Sequence, residues 1–149
     1  MLLSKSCIYG LRASILLATK ESSGFITIRD LSDELQISFH FLTKVLQQLT
    51  KAELLESFKG PNGGVRLAKP ADKITFEEVV TSLDGTYHHL DCPLGLPACG
   101  ELAPCPMHSH WMELQNNIHQ MIGRVTLSDL SKRQKQGKLK QQIPAQTGS

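Results

Sequence analysis

One stretch decides the fold, Leu54-Leu-Glu-Ser-Phe-Lys-Gly-Pro-Asn-Gly-Gly-Val-Arg-Leu-Ala68. Two short runs, Leu54 to Phe58 and Val65 to Ala68, flank a turn made of Gly, Pro and Asn-Gly. Turn residues of this kind between two strand-like runs are a strong signal for a β-hairpin. The stretch therefore predicts two short antiparallel strands joined by a tight turn.

A helix-turn-helix pattern precedes the hairpin. Thr27 resembles an N-cap, and the spacing of Leu31 and Leu35 predicts a short amphipathic helix that ends near Gln36. Ser38 would cap the next helix, whose wide apolar face consists of Phe41, Leu42, Val45, Leu46 and Leu49. A hairpin directly after two such helices is a wing. We therefore predict a mainly α fold with a small β-hairpin wing, a winged helix-turn-helix.

Helices are also predicted on both sides of this unit. The apolar spacing in residues 3–19 predicts a first helix, and Thr75 would cap another that ends at Asp84-Gly85 with its apolar residues inward, namely Phe76, Val79, Val80 and Leu83. From about Met107 a long helix carries apolar residues at heptad spacing, namely Trp111, Leu114, Ile118, Met121 and Val125. This seam favours packing against a partner subunit over packing on the same domain, so we predict a long C-terminal dimerisation helix. Residues 126–130 would form a last short helical turn before the tail.

These elements divide the chain into four segments. We expect a winged helix-turn-helix DNA-binding domain over residues 1–85 and a cysteine-rich cluster-binding loop over 86–108. The dimerisation helix region would span 109–131, and 132–149 would be a basic, flexible tail. Polar, Gly- and Pro-containing sequence without acidic residues is typical of a solvated terminus.

Composition excludes several classes of protein. The chain has 149 residues, sufficient for one domain with an appendage, and a formal net charge of +2. It contains no apolar run of membrane-spanning length and no credible secretory cleavage site, so the cytoplasm is the expected location. It also lacks a phosphate loop, an HExxH motif and a nucleophile elbow, so we do not expect an enzyme.

A proline-rich loop carries the metal-ligating residues. Cys92, Cys99 and Cys105 are followed by His108, and four of the seven prolines of the chain lie among them. Proline disfavours helix and sheet, so a bound group would be needed to order the loop. The gaps are wider than the paired CxxC of a zinc ribbon and suit an iron–sulfur cluster. A zinc site, a thiol switch without a cluster and simple packing of buried thiols are the alternatives.

The second helix of the helix-turn-helix and the wing supply candidate DNA contacts. Polar side chains are expected on the exposed face of that helix, namely Ser38, His40, Thr43, Lys44 and Gln47. Lys can reach guanine or phosphate, and Thr can contact a thymine methyl. Lys59 and Arg66 flank the glycines of the wing, whose small turn can approach a narrow minor groove.

Several of these motifs together resemble a known family. They are residues 6–12 (Ser-Cys-Ile-Tyr-Gly-Leu-Arg), the helix-turn-helix, the wing from Lys59 to Ala68, residues 79–85, the three cysteines and residues 126–130 (Thr-Leu-Ser-Asp-Leu). Over roughly residues 1–131 the chain resembles the Rrf family of bacterial winged-helix transcriptional regulators. The resemblance implies a homodimer that binds double-stranded DNA and holds an iron–sulfur cluster in the loop, with the state of the cluster setting DNA affinity.

Individual positions refine this expectation. His108 matches the histidine ligand of IscR-like [2Fe–2S] members, although the first cysteine gap is one residue longer here. Ile8 stands where NsrR-like members have an Asp that reaches the cluster of the partner, so [2Fe–2S] is favoured over [4Fe–4S]. His40 and Lys44 match base-reading positions of IscR-like members, and Thr43 stands at the position of a discriminating Glu.

The expected function is that of a transcriptional regulator without a membrane role. Its DNA affinity would depend on the cluster, so that it senses iron–sulfur status, redox stress or nitric oxide. A two-fold symmetric dimer would read a near-palindromic operator. The alternatives are a winged-helix interaction module that does not bind DNA, and a zinc- or thiol-based regulator without a cluster.

Overall fold

The computed structural model describes residues 3–85 and 106–135, and these form a mainly helical fold with one hairpin. The helices are α1 (Lys5–Thr19), α2 (Ile28–Leu35), α3 (Phe39–Lys51), α4 (Phe76–Asp84), α5 (His108–Arg124) and α6 (Leu127–Lys135). The strands are β1 (Leu55–Phe58) and β2 (Gly64–Leu67), and short 3-10 turns lie at Glu21–Ser23 and Ala71–Lys73. The predicted winged helix-turn-helix followed by a long helix is confirmed. The cysteines of the loop lie outside the described residues.

Local hydrogen bonds fix the turn between α2 and α3. Thr27 caps α2 by accepting a hydrogen bond from a backbone N–H of the first turn. At the other end Gln36 adopts the left-handed conformation with φ of 56°, and its side-chain amide donates to the carbonyl of Asp33 at 2.6 Å. The hydroxyl of Ser32 donates to the carbonyl of Ile37 at 2.5 Å. These bonds hold α3 at a defined angle to α2.

The apolar face predicted for α3 is buried as expected. Leu42, Val45, Leu46 and Leu49 are buried, and Phe41 packs half-buried against the same core. Ser38 takes the N-cap position, but its side chain makes no capping hydrogen bond. The face of α3 opposite these buried residues, which includes His40, Lys44 and Gln47, is exposed to solvent.

The wing is joined to the segment that leads into α2. Strands β1 and β2 pair antiparallel, with Leu55 opposite Leu67 and Phe58 opposite Gly64. Ile26 adds a bridge on the other side of β2, because its N–H and C=O both bond Val65, at 2.9 and 2.8 Å. A side chain at Gly64 would collide with the carbonyl of Ile26, so glycine is required for this close approach. The wing is thus fixed relative to the helix-turn-helix.

Helix α1 lies at the centre and contacts α3, α4 and α6. Gly10 permits this packing, because a Cβ there would collide with Leu83 of α4. Residues 126–130 were expected to form only a last short turn, and this expectation is wrong. They begin the nine-residue helix α6, which packs on α1 with Leu127 and Ser131 buried. Leu127 supplies the apolar contact that the short-turn interpretation did not weigh.

Helix α4 begins with a capping box that also lies near the end of α5. The hydroxyl of Thr75 accepts from the N–H of Glu78 at 3.2 Å, and the Glu78 carboxylate accepts from the N–H of Thr75 at 2.8 Å. Thr75 is bridged to Thr126 through the backbone. Val79 and Val80 are buried, as the sequence predicts. The cap therefore orders the place where α4 and the end of α5 meet.

Thr75→Ala should lower the free energy of unfolding by about 1 kcal/mol, because a helix N–H loses its capping oxygen. Thr75→Ser keeps that oxygen and serves as the matched control. Urea unfolding of the three proteins measures the difference. Equal midpoints and slopes for Thr75→Ala and wild type would show that the capping box does not stabilise the fold.

Helix α5 packs on α4 along one side only. Ile122 is buried, and Nδ1 of His119 lies 3.3 Å from a carboxylate oxygen of Glu77. Of the heptad seam, Trp111, Ile118 and Val125 are half-buried, whereas Leu114 at 45% and Met121 at 52% are among the most exposed large apolar side chains described. Within residues 3–85 and 106–135, nothing buries this part of the seam.

None of the helices within the described ranges combines the length and the apolar character that a membrane span requires.

Candidate nucleic-acid interface and cysteine loop

A cleft of about 790 Å³ separates α3 from the wing. Its walls come from the start of α2, from α3 and from the hairpin, which the bridge at Ile26 holds in place. Three of the residues predicted to contact DNA line the cleft, namely Thr43 and Gln47 on α3 and Lys59 on the wing. The fold thus brings the recognition helix and the wing to one concave surface.

The cleft is positively charged. Its lining includes Arg29, Lys51 and Lys59 and no Asp or Glu. The guanidinium carbon of Arg29 lies 5.1 Å from the ring centroid of Phe39, within cation–π range, so this cation is held at the entrance to α3. Cations without neighbouring acids attract a polyanion such as the DNA backbone.

A polar stripe runs along the exposed face of α3 beside the cleft. His40, Lys44, Gln47 and Lys51 are all exposed and recur at helical spacing, so they share one face. The ring of His40 lies edge-on to that of Phe39 at 5.7 Å between centroids. The stripe combines donors and acceptors that can reach base edges with cations that can reach phosphates.

Thr43 and Ser38, the other predicted DNA contacts of α3, lie outside this stripe. Thr43 is half-buried, and its hydroxyl donates to the carbonyl of Phe39 at 2.7 Å. That donor is already used, so Thr43 offers its methyl group and the acceptor capacity of its oxygen. Ser38 is exposed at the start of the helix.

Arg66 does not line the cleft. It is exposed on the face of the hairpin that also carries Glu56 and Phe58, and its Nε donates to the carboxylate of Glu56 at 2.9 Å. Its guanidinium carbon also lies 4.4 Å from the centroid of the Phe25 ring. The sequence placed Arg66 beside the wing glycines correctly but could not show which face of the hairpin it occupies.

The sequence reasoning missed three residues of the cleft, namely Arg29, Lys51 and Phe58. Arg29 was detectable, because it is two residues after the N-cap Thr27 and the first helix of a helix-turn-helix crosses the DNA backbone. Lys51 continues the stripe of α3 by one more turn and was detectable from spacing. Nothing in the sequence identified Phe58 as a residue of the cleft, because a phenylalanine in a strand is equally compatible with a buried and an exposed position.

The metal-ligand candidates Cys92, Cys99 and Cys105 lie outside the described residues. His108 is described and is the first residue of α5, half-buried. Within residues 3–85 and 106–135, no three His, Cys, Asp or Glu side chains lie close enough together to hold a metal ion. A metal site that includes His108 would need donors from outside the described residues.

Cys7 is a poor thiolate ligand in this arrangement. It is fully buried in α1, and burial, followed by the charge of Asp84 and a hydrogen bond to it, raises the pKa of the thiol to about 12. A thiol with that pKa stays protonated at neutral pH, whereas metal ligation requires the thiolate. Cys7 thus packs as a small apolar residue.

Asp84 anchors the point at which the cysteine loop leaves the domain. Its carboxylate accepts hydrogen bonds from the N–H of Ser4, at 2.8 Å, and from the hydroxyl of Ser4. Ser4 is the N-cap of α1, so the end of α4 is tied to the start of the central helix.

Comparisons with known proteins agree with the fold and the site. The family model Rrf2, described as an iron-dependent transcriptional regulator, matches residues 3–133. A putative HTH-type transcriptional regulator of Aquifex aeolicus (strain VF5) is 33% identical over 132 residues, which cover 87% of this chain and 91% of the relative. The HTH-type transcriptional regulator IscR of Xenorhabdus nematophila is 29% identical over 126 residues, 85% of this chain and 76% of the relative.

The structure of CymR (YrzC), the global cysteine regulator of B. subtilis, shares the fold with a TM-score of 0.78 at 24% identity. The likeness covers 88% of this chain and 96% of that one. The resemblance drawn from the wing, the helix-turn-helix and the cysteine pattern is confirmed. The chain belongs to the Rrf2 family of transcriptional regulators.

Proposed function

We propose that this regulator binds a near-palindromic operator as a homodimer and that an iron–sulfur cluster in the cysteine loop sets its affinity for that operator. The observation that carries the DNA-binding part is the acid-free, cationic cleft beside the polar stripe of α3. The exposed seam residues Leu114 and Met121 of α5 support the dimer. Two-fold symmetry would place the half-sites about 10 base pairs, or a multiple of that, apart.

The proposed interface divides into base-reading and phosphate-binding parts. His40, Thr43 and Gln47 would face base edges in the major groove, with Lys44 reaching guanine or phosphate. Ser38 would bond a phosphate at the start of α3, and Lys59 would follow the backbone from the wing. Arg66 remains a candidate phosphate contact beside the cleft, where its guanidinium also pairs with Glu56.

The donor set fits an iron–sulfur cluster. Cys92, Cys99 and Cys105 would supply thiolates and His108 an imidazole, and a mixed Cys and His set favours [2Fe–2S] over [4Fe–4S]. When bound, the cluster supplies a redox-active metal centre that can be altered or lost in response to iron, oxidants or nitric oxide. The IscR relative supports this cofactor.

Two described contacts connect the ends of the cysteine loop to the rest of the fold. At one end, Asp84 is bonded to Ser4 at the start of α1. At the other end, His108 begins α5, which carries the proposed dimer seam. Ordering the loop would fix α5 relative to the DNA-binding domain, and in a dimer this sets the separation of the two α3 helices. A protomer whose α3 is displaced from its half-site would lose its base contacts but keep its phosphate contacts.

The DNA-binding proposal is tested by the salt dependence of affinity. The probe is the duplex that wild-type protein enriches most strongly from a randomised 40-base-pair library, measured by fluorescence anisotropy at several salt concentrations. Lys59→Ala should weaken binding and reduce the slope of log K against log salt by about 2, because one phosphate contact is lost in each half-site of the dimer. Lys73→Ala is the matched control, since Lys73 is exposed in the turn that packs on α6 and does not line the cleft.

Enrichment of no duplex, or an unchanged slope in Lys59→Ala, would contradict DNA binding at this cleft. The chain would then be better described as a winged-helix interaction module. A zinc- or thiol-based regulator is the other alternative, and it predicts specific DNA binding by protein that contains no acid-labile sulfide.

A further inference from the structure

Phe58 stands at the end of β1 with 57% of its surface exposed, the largest exposed fraction among the large hydrophobic residues described. A single exposed apolar side chain needs no explanation by itself. This ring, however, lines the cationic cleft together with Gln47 and Lys59. Its position on the concave surface next to the recognition helix sets it apart from the exposed residues of α5.

The ring is supported from the side by a row of contacts. The centroids of Phe58 and Phe25 lie 5.6 Å apart, and the guanidinium of Arg66 lies over Phe25 at 4.4 Å. Glu56 in turn holds Arg66 through a 2.9 Å ion pair. The strand register puts Phe58 opposite Gly64, which has no side chain, so the two aromatic rings can meet across the hairpin. The support restricts the ring before any ligand arrives.

We infer that Phe58 is a DNA contact of the wing and packs against deoxyribose and base edges in the minor groove. The inference rests on the proposed DNA binding and names a residue beyond the polar contacts. Apolar side chains at the minor groove pack on sugars and on base steps, and a pre-ordered aromatic ring does so at small entropic cost. The cations that line the same cleft, with no acid among them, favour DNA over an acidic or neutral protein surface as the occupant.

The roles of Phe25 and Arg66 follow from this arrangement. Phe25 positions Phe58 without needing to touch DNA, and Arg66 supports Phe25 while it remains a candidate phosphate contact. An aromatic ring carries no charge, so its contact should add affinity without adding to the salt dependence. This separates the contribution of Phe58 from that of Lys59, its neighbour in sequence.

Phe58→Ala should weaken binding of full-length protein to the enriched duplex about tenfold for each half-site, about 100-fold for the dimer, because one well-packed aromatic contact is truncated in each protomer. The salt slope should stay at the wild-type value. Phe58→Tyr keeps the ring and should retain affinity within about twofold, whereas Phe58→Leu should fall between. Thermal unfolding of each variant checks that the fold is intact.

Photo-crosslinking gives a second measurement that does not depend on the stability of Phe58→Ala. A benzophenone amino acid placed at position 58 should crosslink to the enriched duplex, and the same group at position 73 should not. Wild-type affinity in Phe58→Ala, or no crosslink from position 58, while Lys59→Ala still lowers affinity and salt slope, would overturn this inference alone. If Lys59→Ala is also without effect, the proposed function fails with it.

Discussion

Cys92→Ala, Cys99→Ala and Cys105→Ala should each yield protein that has lost its iron, its acid-labile sulfide and its visible absorption after anaerobic purification. Each removes one thiolate from a set of only three in the loop. Iron–sulfur clusters are held by Cys thiolates, and a missing ligand leaves an iron open to solvent. Metal and sulfide assays together with the visible spectrum measure the outcome.

Cys7→Ala is the matched control, because Cys7 is a fully buried thiol with a pKa of about 12 and should keep its full cluster content. His108→Cys should retain a cluster with a shifted spectrum, since a thiolate replaces the imidazole. Full iron and sulfide in any of the three loop variants would remove that cysteine from the ligand set. Stoichiometric zinc without sulfide in wild-type protein would replace the cluster with a zinc site.

Leu114→Glu should convert the protein from a dimer to a monomer. Leu114 is 45% exposed in the single chain, so a carboxylate there is tolerated by the monomer fold. In a dimer packed along the α5 seam the same carboxylate would be buried without a partner, which costs several kcal/mol, about 3–5 for an uncompensated charge. Sedimentation velocity over a range of concentrations measures the change.

Gln120→Glu is the control for this variant, because it introduces the same charge on an exposed residue of α5 outside the seam. It should remain a dimer. A Leu114→Glu protein with the dimer dissociation constant of wild type would show that the two chains meet elsewhere. Loss of the dimer should also weaken operator binding strongly, because each monomer would contact only one half-site.

The local sequence determined most of the fold. The Asn-Gly turn and the capping residues Thr27 and Thr75 act over a few positions, so their effects can be derived from sequence alone. The length of α6 could not, because Leu127 is buried by packing on α1, far away in the chain. Long-range packing therefore stabilises a helix that the local preference of residues 126–135 supports only weakly.

The candidate interface was predictable in part. Helical spacing placed His40, Lys44 and Gln47 on one exposed face of α3, and this follows from periodicity. The face of the hairpin that carries both Arg66 and Phe58 depends on strand register, which a sequence pattern leaves open by one residue. The exposure of Phe58 depends on the same register and on the space left by Gly64. The positions of Arg66 and Phe58 depend on how two strands pair, so they could be established only from the structure.

The contacts next to the loop indicate how a change in the cluster would affect the DNA-binding domain. Ser4 and Asp84 tie the start of α1 to the end of α4, directly before the loop, and α1 contacts both α3 and α6. A cluster needs only to alter the equilibrium between two arrangements of the domains. Coupling of about 1–3 kcal/mol between two sites changes affinity about 5- to 150-fold, which is enough for a regulatory switch.

The most direct test of cluster control compares the two forms of one protein on one DNA. Anaerobically purified holo-protein and apo-protein made from it by chelation would be titrated against the enriched duplex at matched salt, with dimer content checked for both. We predict that specific affinity differs about 5- to 150-fold between the forms. We also predict that the salt slope changes much less, since phosphate contacts persist. Equal specific affinities of holo- and apo-protein would contradict the account.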